Sequence, residues 1–158
     1  MSQHDDWSAS ARRVYYGLLD DWNRQDAAAM ASRFTVRGSL VGFDGSAIDG
    51  RASIEAHLRP IFAQHPTPRF VAKVCEVRLM ANGQTLLLRA VAGMWPRGAT
   101  ELEPSLSAIQ TMVLSLCDGV YRIEMFQNTP AAFHGRPEEA DKLNAELREV
   151  GKPAGAGF

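Results

Sequence analysis

The sequence has only two cysteines, and they form no metal or redox motif. Cys75 and Cys117 stand apart in apolar segments, without a Cys-x-x-Cys pair or a Cys/His cluster. We interpret both as buried free thiols and expect no metal site. The sequence also has no Gly-x-Gly-x-x-Gly after a predicted strand and no P-loop, so we expect no cofactor.

The sequence also lacks a charge excess and long apolar runs. Its 17 Lys and Arg residues balance 18 Asp and Glu residues, and no basic block is present. This balance gives no reason to expect nucleic acid or an anionic membrane as a partner. No stretch approaches the roughly 18 apolar residues of a membrane span, and residues 1–6 do not resemble a secretion signal. We therefore expect a cytoplasmic protein.

Helical patterns occupy much of the first 64 residues. Apolar residues recur every three or four positions over residues 8–23 and again over 51–64, which indicates two amphipathic helices. Asp26 is a suitable N-cap for a short helix over residues 27–33. A hairpin is predicted over residues 34–50, where Asp44-Gly45 supplies the turn.

Strand patterns dominate the middle of the chain. The Asn82-Gly83 and Asp118-Gly119 pairs are typical of two-residue hairpin turns between β-rich segments. They predict an antiparallel meander with strands over residues 69–81, 84–95, 105–117 and 120–128.

This order of elements predicts an α+β fold in one domain. A long, twisted antiparallel sheet wraps around three N-terminal helices and forms a half-open cone. We expect the cone over residues 8–136, after a disordered N-terminus over 1–7. A C-terminal helix over 137–150 and a flexible tail over 151–158 follow.

Several segments resemble a known superfamily. They are residues 21–27 (DWNRQDA), 38–45 (GSLVGFDG), 71–74 (VAKV), 88–94 (LRAVAGM) and 126–138 (FQNTPAAFHGRPE). With the order of elements, they resemble the nuclear-transport-factor-2-like superfamily with its SnoaL-like cone (cystatin-like roll), and within it the SgcJ/EcaC-type subfamily of enediyne gene clusters. The resemblance implies secondary or polyketide metabolism and a homodimer that pairs through the outer face of the sheet.

The strand pattern suggests which polar groups enter the cone. Strict alternation places Gln110 and Met112 on one face of their strand, and Met125 and Gln127 on the matching face of the last strand. Two amides among apolar side chains would orient a ligand; alternatively, they cap the strands or bind loops. The predicted ligand-binding residues are Trp22, Phe34, Phe43, His57, Phe62, Gln110, Met112, Met125 and Gln127.

Catalytic candidates are few. The resemblance to ketosteroid isomerase fails at its catalytic positions, because Leu18 and Gly42 stand where its tyrosine and its aspartate base would align. His57, beside the apolar face of the third helix, and Asp44 are the remaining candidate bases. Each also has a structural interpretation, His57 as a helix-edge residue and Asp44 as a turn residue.

Three hypotheses of function follow. The first is a protein that binds an apolar, oxygen-bearing small molecule, because carboxamides hold a ligand but cannot act as general bases. The second is a cofactor-independent isomerase, cyclase or dehydratase that uses His57 or Asp44 as base. The third is an interaction module whose cone is filled by its own side chains.

Overall fold

The computed structural model describes residues 3–153, which form four helices and one six-stranded sheet. The helices are α1 (Gln3–Asn23), α2 (Ala27–Ser32), α3 (Arg51–Gln64) and α4 (Pro137–Val150). The strands are β1 (Phe34–Val41), β2 (Ala47–Asp49), β3 (Arg69–Leu79), β4 (Thr85–Trp95), β5 (Glu103–Cys117) and β6 (Val120–Pro130). Within the described part of the chain, no helix is long and apolar enough to cross a membrane.

The sheet has the strand order β2-β1-β6-β5-β4-β3. β3 to β6 form the predicted antiparallel meander, and β2 pairs antiparallel with β1. However, β1 runs parallel to β6, which corrects the expectation of an antiparallel sheet for this one pair of strands. The α+β architecture with a curved, unclosed sheet and N-terminal helices is confirmed.

Two predicted boundaries need correction or restriction. α1 begins at Gln3, so the predicted disorder is wrong for residues 3–7; Trp7 packs against the core and extends the apolar face of the helix. Residues 1 and 2 lie outside the described residues. α4 has the predicted bounds, whereas residues 154–158 of the predicted tail lie outside the described residues.

The main core lies between the concave face of the sheet and the first three helices. α1 contributes Tyr15 and Leu18, both fully buried, because its apolar positions repeat at helical spacing. Leu88, Leu114 and Ile123 from three adjacent strands are buried against them. The sheet therefore closes over the helices along one face, as the predicted cone requires.

α4 covers part of the opposite, outer face of the sheet. A second apolar cluster joins the helix to the strands and consists of Val71, Val91, Trp95, Leu102, Leu143 and Leu147. Within this layer, the Ser107 hydroxyl donates to Asn144 Oδ1 at 2.6 Å. α4 is thus separated from the concave side by the sheet and does not form a lid over it.

A β-bulge changes the direction of the side chains in β6. Leu114 pairs with Ile123, but its neighbour Val113 pairs with Met125, so Glu124 is an extra residue. Beyond this point the alternation is reversed: Phe126 is buried on the concave side, while Gln127 is exposed. Strict alternation therefore fails after Ile123.

The neighbouring strand β1 adapts to this bulge. Its register jumps from Phe34, opposite Ile123, to Ser39, opposite Met125. At Gly38 the backbone of β1 approaches β6 very closely. A Cβ atom on this residue would lie 2.6 Å from the carbonyl oxygen of Ile123. Only glycine fits this approach without movement of the backbone.

The cysteines are free but not buried, which corrects the prediction. Cys75 is exposed and Cys117 is half-buried. Cys75 is the extra residue of another bulge, between the pairs Val74–Ala90 and Glu76–Arg89. Cys117 ends β5 at a turn, where the layer of packed side chains stops.

Gly38→Ala should lower the free energy of unfolding by about 1–3 kcal/mol, because the added methyl group collides with a backbone oxygen. Gly42→Ala is the matched control, since its Cβ would have no neighbour nearer than 3.6 Å. Urea denaturation measures both changes. Equal stability of the two variants would contradict the close approach of β1 to the bulge.

Candidate functional site

A cavity of about 290 Å³ lies between α3, the β1–β2 hairpin and the concave face of the sheet. Its size is near the lower end of the range of about 300–1,000 Å³ for ligand pockets. Its apolar lining residues are Trp22, Met30, Leu40, Phe43, Ile48, Leu58, Ile61, Phe70, Met94 and Phe126. Its polar side chains are Asp44, Ser46, His57 and Asn128.

Trp22 forms one wall, and the end of α1 holds it in place. Its indole Nε1 donates to the carbonyl of Pro68 at 2.8 Å, and its ring contacts Phe62 edge-on and Phe70 at a tilt. Asn23 accepts from the backbone N–H of Phe70 at 2.7 Å and donates to its carbonyl at 3.2 Å. These contacts fix the wall against the start of β3.

A buried carboxylate stabilises the same corner. Asp21 is 0% exposed and receives hydrogen bonds from Arg33 Nε at 2.5 Å and Arg24 at 2.6 Å. The guanidinium of Arg33 passes directly over Gly17, where a Cβ atom would lie 2.5 Å from it. Two cations pair the carboxylate, so its burial is compatible with stability, whereas removal of either partner would be costly. The corner is therefore a rigid support for the cavity.

A chain of three polar side chains connects the core to the cavity. The hydroxyl of Tyr15 donates to Gln110 Oε1 at 2.6 Å, and Gln110 Nε2 donates to Asn128 Oδ1 at 2.8 Å. Tyr15 and Gln110 are both 0% exposed, whereas Asn128 lines the cavity. The chain ends at the Asn128 side chain, whose Oδ1 accepts the hydrogen bond from Gln110 and whose Nδ2 remains able to donate.

Two titratable side chains lie at the more exposed side of the cavity. Hydrogen bonds from the backbone N–H and the hydroxyl of Ser46 lower the pKa of Asp44, and the nearby His57 adds to this effect. The backbone bond measures 2.9 Å and closes the predicted turn. A lowered pKa makes Asp44 a weaker base, so this geometry favours its role in the turn.

The predicted site residues fall into four groups. Trp22, Phe43, Asp44 and His57 line the cavity. Phe62 contacts Trp22 without lining the cavity.

Phe34, Gln110 and Met112 are completely buried in the core and do not line the cavity. Met125 and Gln127 lie beyond the bulge on the outer face, so the prediction that they face the cone is wrong.

Sequence reasoning missed Tyr15 and Asn128, the two ends of the hydrogen-bonded chain that connects the core to the cavity. Helical spacing predicts only that Tyr15 lies on the apolar face of α1, and strict alternation predicts that Asn128 lies on the face opposite Gln127. The adjacent amides Gln127 and Asn128 were the available signal. Strict alternation predicts that Gln127 faces the cone, whereas Asn128 is the one that lines the cavity. A cone filled entirely by its own side chains is not observed, because the cavity is large enough for more than water.

Tyr15 provides a test of this buried chain. Burial raises the pKa of Tyr15 well above its ordinary value of 10.0, with smaller contributions from Tyr16 and Cys75. Above pH 10 the unfolded chain loses this proton and the folded chain keeps it, so the free energy of unfolding falls as pH rises. Tyr15→Phe should make this fall shallower by up to about 1.4 kcal/mol per pH unit. Urea denaturation between pH 8 and 11 measures the slopes; identical slopes would contradict the burial of a protonated Tyr15.

No family model matches the sequence, and no curated protein matches it. Solved structures do match. A domain of unknown function with a cystatin-like fold from Nostoc punctiforme is 24% identical with a TM-score of 0.74, over 95% of this chain and 94% of that one. An NTF-2 like protein of unknown function from Shewanella oneidensis is 13% identical with a TM-score of 0.63, over 77% and 98%.

A third match is ActVI-ORFA from Streptomyces coelicolor, which is 18% identical with a TM-score of 0.62, over 79% of this chain and 98% of that one. At these identities the likeness concerns the fold and does not transfer an activity. It agrees with the order of helices and strands described above. The chain thus has the nuclear-transport-factor-2-like, cystatin-like fold.

Proposed function

We propose that this chain binds a small, largely apolar molecule that carries a hydrogen-bond acceptor, such as a carbonyl oxygen. The observation that supports this most is the Asn128 side chain, which lies in an otherwise mostly apolar cavity with its oxygen already bonded to Gln110. An acceptor on the ligand would satisfy the remaining donor. Apolar walls with a few placed polar groups are typical of ligand pockets.

The cavity volume limits the ligand to a small molecule. A volume of about 290 Å³ is some ten times the roughly 30 Å³ that one water molecule occupies in the liquid. A ligand of on the order of ten non-hydrogen atoms, such as a two-ring aromatic ketone, fits this limit. Larger ligands would need the β1–β2 hairpin or α3 to move.

The resemblance to the SgcJ/EcaC-type subfamily supports a place in secondary, polyketide-type metabolism, as a binding or accessory protein in the cytoplasm. The two segments that resemble it most directly at the cavity are residues 21–27 and 38–45. They contain Trp22, Phe43 and Asp44, which line the cavity. The proposed ligand is therefore an aromatic or polyketide-like metabolite.

We also propose a homodimer through the part of the outer face that α4 leaves uncovered. Leu87, Val113 and Met125 are paired in register across β4, β5 and β6, and all three are half-buried. They form an apolar row on this face. A second copy of the chain would remove the row from water.

Native mass spectrometry tests both proposals on the purified protein. We expect twice the chain mass of 17.3 kDa, together with a bound molecule that is released on denaturation. Added 1-indanone, a ketone of suitable size, should bind the ligand-free protein, as measured by saturation-transfer NMR. A monomer at micromolar concentration would contradict the dimer, and failure of 1-indanone and of the hydrocarbon indane to bind would contradict the cavity as a ligand site.

A second candidate function is a cofactor-independent isomerase, cyclase or dehydratase. The favouring observation is that His57 and Asp44 line the same cavity as Asn128, and that His57 lies near enough to Asp44 to lower the pKa of its carboxyl group. A base beside a bound carbonyl could remove a proton from the adjacent carbon while the Asn128 donor stabilises the enolate oxygen. Since Asp44 is a weakened base, His57 is the better candidate.

Exchange of the protons at C2 of 1-indanone with D2O separates an enzyme from a binder. An enzyme should accelerate this exchange, and His57→Ala should abolish the acceleration while the affinity remains nearly unchanged. His65→Ala, at an exposed position after α3, is the control and should exchange like the wild type. Absence of any acceleration by the wild-type protein would overturn the enzymatic candidate for ketones of this type.

A further inference from the structure

We infer that Tyr15 and Gln110 are positioning residues that fix the hydrogen-bonding polarity of Asn128, and thereby make the cavity prefer acceptors over donors. The inference deepens the proposed function and rests on it, because it concerns the same cavity. A hydroxyl group in the core begins a series of hydrogen bonds that ends at the cavity. Neither Tyr15 nor Gln110 lines the cavity.

The first step is the direction of the Tyr15 hydrogen bond. The side chain is 0% exposed, and its hydroxyl lies 2.6 Å from Gln110 Oε1. Within residues 3–153, this is the hydrogen bond that the structure gives the hydroxyl. A buried O–H without an acceptor is costly, so Tyr15 must donate and Gln110 must present its oxygen.

The second step transfers this constraint to Asn128. With its Oε1 facing Tyr15, Gln110 can offer only its Nε2 to the other side, and this nitrogen lies 2.8 Å from Asn128 Oδ1. Asn128 must then turn its oxygen inward and its Nδ2 outward. The reverse arrangement of both amides would leave the Tyr15 proton without an acceptor.

The third step explains why such an anchor matters for selectivity. The two ends of a carboxamide have almost the same shape, so an unanchored Asn128 could rotate and offer either its oxygen or its nitrogen to a ligand. A cavity with a free amide would accept donors and acceptors alike. Tyr15, which is 0% exposed and does not line the cavity, removes this freedom through Gln110.

Three bicyclic probes of similar size separate polarity from burial: 1-indanone offers an acceptor, indole offers an N–H donor and indane offers neither. The wild-type protein should bind 1-indanone roughly two- to tenfold more tightly than indole, the range expected for one hydrogen bond. Tyr15→Phe should bring this ratio close to one, while the affinity for indane stays within about twofold of wild type. Ligand-observed NMR titrations give all the dissociation constants.

Tyr16→Phe is the matched control, because it removes a hydroxyl group from the adjacent residue of α1. That hydroxyl accepts a hydrogen bond from the backbone N–H of Val74 and takes no part in the Tyr15–Gln110–Asn128 hydrogen bonds. Its ratio should equal that of the wild type. Asn128→Leu provides a second test that leaves Tyr15 intact. It should also bring the ratio of the 1-indanone and indole affinities to one.

Each outcome has a distinct meaning. A Tyr15→Phe or Asn128→Leu protein that keeps the wild-type ratio would overturn the inference. A wild-type ratio of one with tight binding of indane would also overturn it, because the cavity would then bind ligands without a preference for acceptors. If none of the three probes binds the wild-type protein, the proposed function fails and the inference fails with it. Loss of preference in both variants, with indane binding retained, supports the inference.

Discussion

The extra residue Glu124 in β6 determines which side chains of the last strand reach the cavity. Without it, Met125 and Gln127 would lie on the concave side; with it, Phe126 lines the cavity and Asn128 meets Gln110. The bulge also shapes the outer face, where Met125 joins an apolar row with Val113 and Leu87. One local change of register therefore sets the chemistry of both faces of the sheet.

The polar chain from Tyr15 links the stability of the core to recognition in the cavity. A single hydrogen bond contributes a net stability of about 0.5–1.5 kcal/mol, but a buried group left without a partner costs about 1–3 kcal/mol. The second quantity is the larger, so the need to satisfy Tyr15 dominates the orientation of Gln110 and Asn128. The rigid corner around Asp21 keeps the opposite wall, Trp22, in position. The cavity is thus built by contacts that lie mostly outside it.

Much of the fold could be predicted from the sequence, because it depends on local signals. Helical spacing predicted α1 and α3, the Asp26 cap predicted α2, and the Asn82-Gly83 and Asp118-Gly119 turns predicted the meander. Local patterns also predicted Trp22, Phe43 and His57 as ligand-binding residues, and all three line the cavity. The parallel pairing of β1 with β6 could not be predicted, since it joins residues far apart in sequence. Nor could the bulge, because Ile123-Glu124-Met125 contains no glycine or proline to mark it, and an error of one residue exchanges the two faces.

The most direct test of the central claim is the NMR signal of the Asn128 side-chain NH2 group, identified by its loss in Asn128→Leu and followed as 1-indanone is added to the wild-type protein. If Nδ2 donates to the ketone, the Asn128 signal should shift downfield in proportion to the bound fraction, while indane should leave it almost unchanged. A bound ketone that moves the signal no more than indane does would contradict an acceptor-selective cavity.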